Sequence, residues 1–156
     1  MKWSLRIATV SGIPIYLHMT FVLLIVFLLV GGLATGQGVR ASVGGAVFVL
    51  AIFVTVVLHE LGHAFAARRF GIRTKDITLL PIGGLARLER LPEVPRQELW
   101  VALAGPAVNI VIAVVGWTAL VFFALGHPSW DLMTATQSPL GRFVAVNLWL
   151  ALFNLI

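Results

Sequence analysis

His59, Glu60 and His63 stand together in "VVLHELGHAF" (Val56 to Phe65), at the end of an apolar run with no formally charged residue from Ala41 to Leu58. The stretch has the form H-E-x-x-H. On a helix, residues four apart share a face with Cβ atoms about 5–6 Å apart, so both imidazoles can reach one metal ion. Neutral imidazole suits zinc, and a catalytic zinc keeps one position open for water. The ion lowers the pKa of that water to about 7. Glu60, next to His59, can take the water's proton and deliver it to a leaving amide nitrogen, as general base and then acid. That chemistry is metal-assisted hydrolysis of a peptide bond. A chance grouping near a helix end is the plainer alternative. It is weakened by the setting, because a charged carboxylate at mid-membrane costs at least about 2.5–3.5 kcal/mol. Glu60 is the only acidic residue set within such a run.

The elements that must position these residues follow from composition. The chain has 156 residues, of which 60% are hydrophobic and 11% charged, against roughly 25% charged in soluble domains. A soluble domain of this size could not hide that much apolar surface, so the bilayer is its natural solvent. The absence of cysteine excludes disulfides, iron–sulfur clusters and thiolate ligands. Hydropathy predicts an all-α polytopic membrane protein with about four transmembrane helices, at 17–34, 42–67, 98–125 and 140–156. The first run is too long for the apolar core of a signal peptide and is read as a retained helix. Between spans two and three, segment 68–97 is of a different material, with "ITLL" and "LARLE" joined through Pro81 and the Gly83–Gly84 pair. It predicts a small β-hairpin at the membrane face. The whole of 1–156 is expected to form one transmembrane core.

The net charge of +5 does not point to nucleic acid, because of where the charges lie. Seven of the eleven Lys and Arg fall between Arg68 and Arg96, with Lys2 and Arg6 ahead of the first run. Clustering at segment ends is the pattern of membrane topology. It places the N-terminus and the active-site end of helix two in the cytoplasm, in a multi-pass protein of the cell membrane. Arg40 and the loop His127–Gln137 are then outside.

The residues also resemble the site-2 protease family of intramembrane zinc metalloproteases. "HELGHAFAARRFGI" is followed by "PIGGLARLE", then by "ALAGPAVNIVIA" in the third span. "VNLWLALFNLI" is similar to the opening of the family's N-x-x-P…D-G motif, and the elements come in the family's order. The resemblance implies that His59 and His63 bind Zn2+, that Glu60 is catalytic, and that the substrate is a membrane-tethered protein cleaved in or near its transmembrane helix. Family members of this kind release membrane-tethered transcription regulators. The family's third ligand is an aspartate beyond the Asn that matches Asn154, so by this pattern the chain is cut off before it. The resemblance further implies a substrate contact at Asn154. For Asn109 it implies a substrate-binding place near the active site, helping to hold substrate or steady the oxyanion, where the plainer reading is a hydrogen bond to a neighbouring helix.

Among in-chain alternatives for a third ligand, His18 is the best placed, although an interfacial histidine without a metal explains it more simply. His127 and Asp131 fall on the outer side. Asp76 and the glutamates of the basic segment read as solvated. Gly105-Pro106 reads as a kink with close packing, and the five tryptophans as belt and packing residues. An exposed strand at "ITLL" could hold an unwound substrate by strand addition, which predicts that Ile77→Pro or Leu79→Pro lowers cleavage and spares metal content. Two other classes remain: a zinc-binding membrane protein without hydrolysis, such as a transporter or metal sensor, and an inactive structural core.

Overall fold

Ser11 and Gly12 turn the N-terminal segment back on itself. In the computed structural model, which describes residues 3–126 and 131–155, both have positive φ, 51° and 86°. Two such residues make the tight turn whose twist suits antiparallel strands. It joins β1 (Ser4–Val10) to β2 (Ile13–His18), and β3 (Thr74–Leu80) pairs with β4 (Gly83–Leu88) in a second antiparallel hairpin. β2 runs parallel to β3, with Ile15 opposite Ile77, so the four strands form one mixed sheet in the order β1-β2-β3-β4.

This corrects the expectation of an all-α protein carrying one small hairpin. Residues 4–18 are rich in β-branched side chains and broken by a Ser-Gly turn, and they form strands rather than a basic lead-in to the first helix. β2 takes Leu17 and His18, so α1 begins only at Met19 and ends at Ala34. The count of about four spans is corrected with it. Among the described residues two helices are long and apolar enough to cross a membrane, α2 (Val39–Arg69) and α3 (Pro95–Gly126). Their 31 and 32 residues rise about 46 and 48 Å. The apolar helices α1 and α5 (Pro139–Phe153), of 16 and 15 residues, rise only about 24 and 23 Å, short of a roughly 30 Å hydrocarbon layer. A short α4 (Leu132–Gln137) precedes α5. His127 and Trp130 lie outside the described residues.

The sheet packs beneath the C-terminal half of α2. Ile13 and Ile77 meet Leu61 and Ala64 in one buried cluster, and Ala67, Ile72 and Val101 form a second. α2 stops at a left-handed glycine: Gly71 has φ 71°, its N–H bonds Arg68 O, and the Ile72 N–H bonds Ala67 O. That cap turns the chain straight into β3. α2 and α3 approach closely at Gly62, where a Cβ would lie 2.7 Å from Ala104 O. α3 continues through the buried Pro106, and Gly116 makes room for Val144 of α5. The outward faces stay apolar, with Phe27, Val47, Val54, Val111, Val115 and Phe122 all exposed. A soluble monomer rarely shows contiguous apolar surface on this scale.

Candidate metal centre

α2 carries His59 and His63 one turn apart, and the helix geometry brings their rings together. The two Nε2 atoms are 3.0 Å apart, with ring centroids 4.7 Å apart and planes at 79°. The His63 Nδ1–H donates to Val101 O across the α2–α3 seam at 2.6 Å. That bond fixes the tautomer and leaves Nε2 with its lone pair free, which is how metal-binding histidines are commonly held. His59 is buried, and its Nδ1 has no hydrogen-bond partner. Beside it lies Asn109, fully buried on α3, with neither amide atom in a formed hydrogen bond. Orphaned polar atoms of this kind are rare in a native interior and mark strain or a functional role.

Gly105 supplies the space in front of the two rings. A Cβ there would lie 2.7 Å from His59 Nε2 and 2.6 Å from His63 Cε1, and would strike His63 Nε2. Two neutral imidazole nitrogens converging on a gap kept open by a glycine make a donor set suited to zinc. Glu60 sits on the adjoining side of α2, over β4. A Cβ at Gly84 would be 2.5 Å from its Cγ and 3.0 Å from its Oε1, and the Ala86 backbone lies alongside its carboxylate. The sheet therefore has a direct part in the site: β4 is the surface against which the carboxylate of Glu60 rests.

The other expected residues fall elsewhere. His18 ends β2 and caps α1, its Nδ1 accepting from Thr20 N at 3.3 Å. Asn154 caps the end of α5 and donates through Nδ2 to Leu150 O at 2.7 Å, and no hydrogen bond links it to either histidine. Asn147 is fully buried, donates to Phe143 O at 2.9 Å, and leaves its Oδ1 without a partner. Among the described residues no group of three or more His, Cys, Asp or Glu converges on one point. Asp76, expected to be solvated, is instead buried and paired with Arg87. The strands set them opposite each other, with Arg87 Nε 2.8 Å from Oδ1 and Nη2 on Oδ2. The hydrogen bonds that Arg87 donates to Asp76, and then the charge of Asp76, raise the Arg87 pKa above its ordinary value. Sequence reasoning missed Val101, which offers only a backbone carbonyl. It read Gly84 and Gly105 as a turn and a packing residue, without their part in the site.

Comparison with known proteins gives the family. Residues 47–138 match the family described as Peptidase family M50. Zinc metalloprotease MJ0392 of Methanocaldococcus jannaschii is 36% identical over 156 residues, which cover 100% of this chain and 42% of that protein. Stage IV sporulation protein FB of Bacillus subtilis is 33% identical over 86 residues, covering 54% of this chain and 30% of that one. Among solved structures, the site-2 protease from Methanocaldococcus jannaschii superposes with a TM-score of 0.70 at 34% identity, over 99% of this chain and 65% of that one. The chain thus spans less than half the length of these two curated relatives. With a family match across most of its length, the histidine pair on α2 and the shared fold, the chain belongs to peptidase family M50, the membrane-embedded zinc metalloproteases of the site-2 protease type.

Proposed function

We propose that this chain forms the catalytic core of an intramembrane zinc metalloprotease that cleaves a membrane-tethered protein in or near its transmembrane helix. The observation that carries this reading is the pair of Nε2 atoms 3.0 Å apart, facing the gap at Gly105, with Glu60 on the next position of the same helix. His59 and His63 would hold zinc, which supplies Lewis acidity and lowers the pKa of a bound water. Val101 O holds the ring of His63 in place. Asn109 Oδ1 is placed to accept from His59 Nδ1 and so fix the second ring, a positioning role. Glu60 takes a proton from the attacking water and delivers it to the leaving nitrogen. Asn154 serves as a contact for substrate.

A substrate helix has its carbonyls hydrogen-bonded internally and must unwind before attack. β4 is an edge strand and lies against Glu60, which supports strand addition of the unwound stretch at β4 rather than at β3. The same basic clustering that predicts topology supports a cytoplasmic sheet and N-terminus. The test is zinc per chain, by elemental analysis, alongside cleavage of a membrane-tethered substrate. Near-stoichiometric zinc is expected in the protein and in Glu60→Gln, and none in His59→Ala. Glu60→Gln should lose cleavage by a factor of at least about 100. A Glu60→Gln protein that still cleaves rejects the mechanism. Zinc retained without cleavage in the unaltered protein favours the metal-sensor or transporter reading.

A further inference from the structure

A groove of about 800 Å³ runs along the outer seam of α2 and α3, separate from His59, Glu60 and His63. It follows one helical stripe on each side. α2 contributes Gly62, Phe65, Ala66 and Arg69, and α3 contributes Arg96, Trp100, Leu103 and Ala107. The volume is within the roughly 300–1,000 Å³ of small-molecule sites. Its chemistry is graded along its length. Arg69 and Arg96 stand at the end where both helices leave their apolar stretches, and neither forms a salt bridge among the described residues. From Arg96 to Ala107 α3 rises about 16 Å, and every groove residue beyond Trp100 is apolar. Trp100, exposed at 57%, is at the step between the two regions, where indole side chains favour the membrane–water interface.

A cationic mouth, an interfacial indole and an apolar channel suit an amphiphile with an anionic head. Two arginines give a phosphate planar, paired hydrogen bonds, which a zwitterionic head would partly neutralise through its own ammonium. Basic pockets between membrane helices are established sites for anionic lipid heads. We propose that this groove binds one anionic phospholipid, its phosphate between Arg69 and Arg96 and one acyl chain along Phe65, Leu103 and Ala107. The proposal rests on the membrane placement given above. Its partner is a lipid of the surrounding bilayer, not the protein substrate, and it bears on how the α2–α3 seam is held rather than on bond cleavage.

The experiment is native mass spectrometry of the protein released from lipid discs of phosphatidylcholine with a minor fraction of phosphatidylglycerol. The protein should leave the disc with one phosphatidylglycerol bound, enriched at least about tenfold over its share of the disc. Arg69→Gln with Arg96→Gln should abolish the enrichment, and each single variant should lower it, so an unstable double variant still leaves a readout. Leu103→Trp, which fills the channel, should lower retention of both lipids. Arg68→Gln with Arg73→Gln removes the same charge from a neighbouring cleft near Ser11 and should have little effect. Equal loss in the two arginine pairs, or undiminished enrichment in the groove variants, overturns the proposal. So does displacement of the lipid by glycerol phosphate alone, which would mean that the channel contributes nothing. Two chains per disc that become one in Leu103→Trp would mean that a second copy covers the groove. A protein that fails to enter discs overturns the membrane placement as well, whereas entry without enrichment overturns the lipid site alone.

Discussion

A Cβ at Gly105 would lie 2.7 Å from His59 Nε2, whereas one at Gly84 would lie 2.5 Å from Glu60 Cγ. The two glycines therefore guard different halves of the site, and exchanging each for alanine separates those halves. Gly105→Ala forces rigid rings apart and is expected to weaken zinc retention about 10- to 100-fold, read by competition with a chelator. Gly84→Ala meets only the flexible side chain of Glu60, so the protein should fold and keep its zinc. Its cleavage rate should fall at least about tenfold, because a misplaced general base loses its transition-state geometry. Zinc loss in Gly84→Ala, or full zinc in Gly105→Ala, would contradict the assignment of roles. That the two histidines come together on one helix with Glu60 beside them was legible from spacing, because residue type and helical period are written in the sequence. The glycines' roles were not, since a glycine announces only that space is needed, not which neighbour needs it. The pairing of Asp76 with Arg87 was hidden for a related reason: the two are eleven positions apart and meet only through the strand register.

At the level of elements, the second hairpin could be read from Pro81 and the paired glycines, but its place in the sheet could not. β2 pairs with β3 in parallel across 55 or more intervening residues, and no local signal reports a contact so distant in sequence. The consequence concerns Ile77. Treated as part of a free edge, Ile77→Pro should spare metal content. With β3 paired on both sides and Ile77 fully buried against α2, proline removes a ladder donor from the middle of the sheet. Ile77→Pro is therefore expected to lose zinc and cleavage together, with yield falling as the sheet fails to form. Ile77→Ala keeps the backbone and removes only packing, which should destabilise by about 2–5 kcal/mol while leaving zinc bound below the lowered melting temperature. Thermal unfolding followed by zinc release distinguishes them. A well-folded, zinc-replete Ile77→Pro would mean that β3 tolerates the loss and is not held from both sides.

Across the whole molecule, the apolar excess was legible in composition, and the two long helices account for much of it. The four-span reading failed because hydropathy scores residues and not the length of helix that they form. Leu17 and His18 count toward an apolar window but belong to a strand, and α5 ends at Phe153. What remains is a pair of helices rising about 46 and 48 Å through a layer of roughly 30 Å, so their ends must project from it or tilt. The sheet packs on the C-terminal half of α2, so one end of the α2–α3 pair carries the strands, seven of the eleven basic residues and the histidine pair. The other end carries the turn between α1 and α2. The proposed orientation can be tested without background labelling, because the chain contains no cysteine. Ile82→Cys, at the tip of the second hairpin and 96% exposed, should react with a membrane-impermeant thiol reagent only after the cytoplasmic face is opened. Gln37→Cys, exposed in the α1–α2 turn, should react in intact cells. The reverse pattern would put the sheet and Glu60 outside, and labelling of both from one side would mean that α2 does not cross. In either case the proposed zinc chemistry at His59 and His63 would stand, but the substrate would have to present its scissile bond to a different face of the membrane.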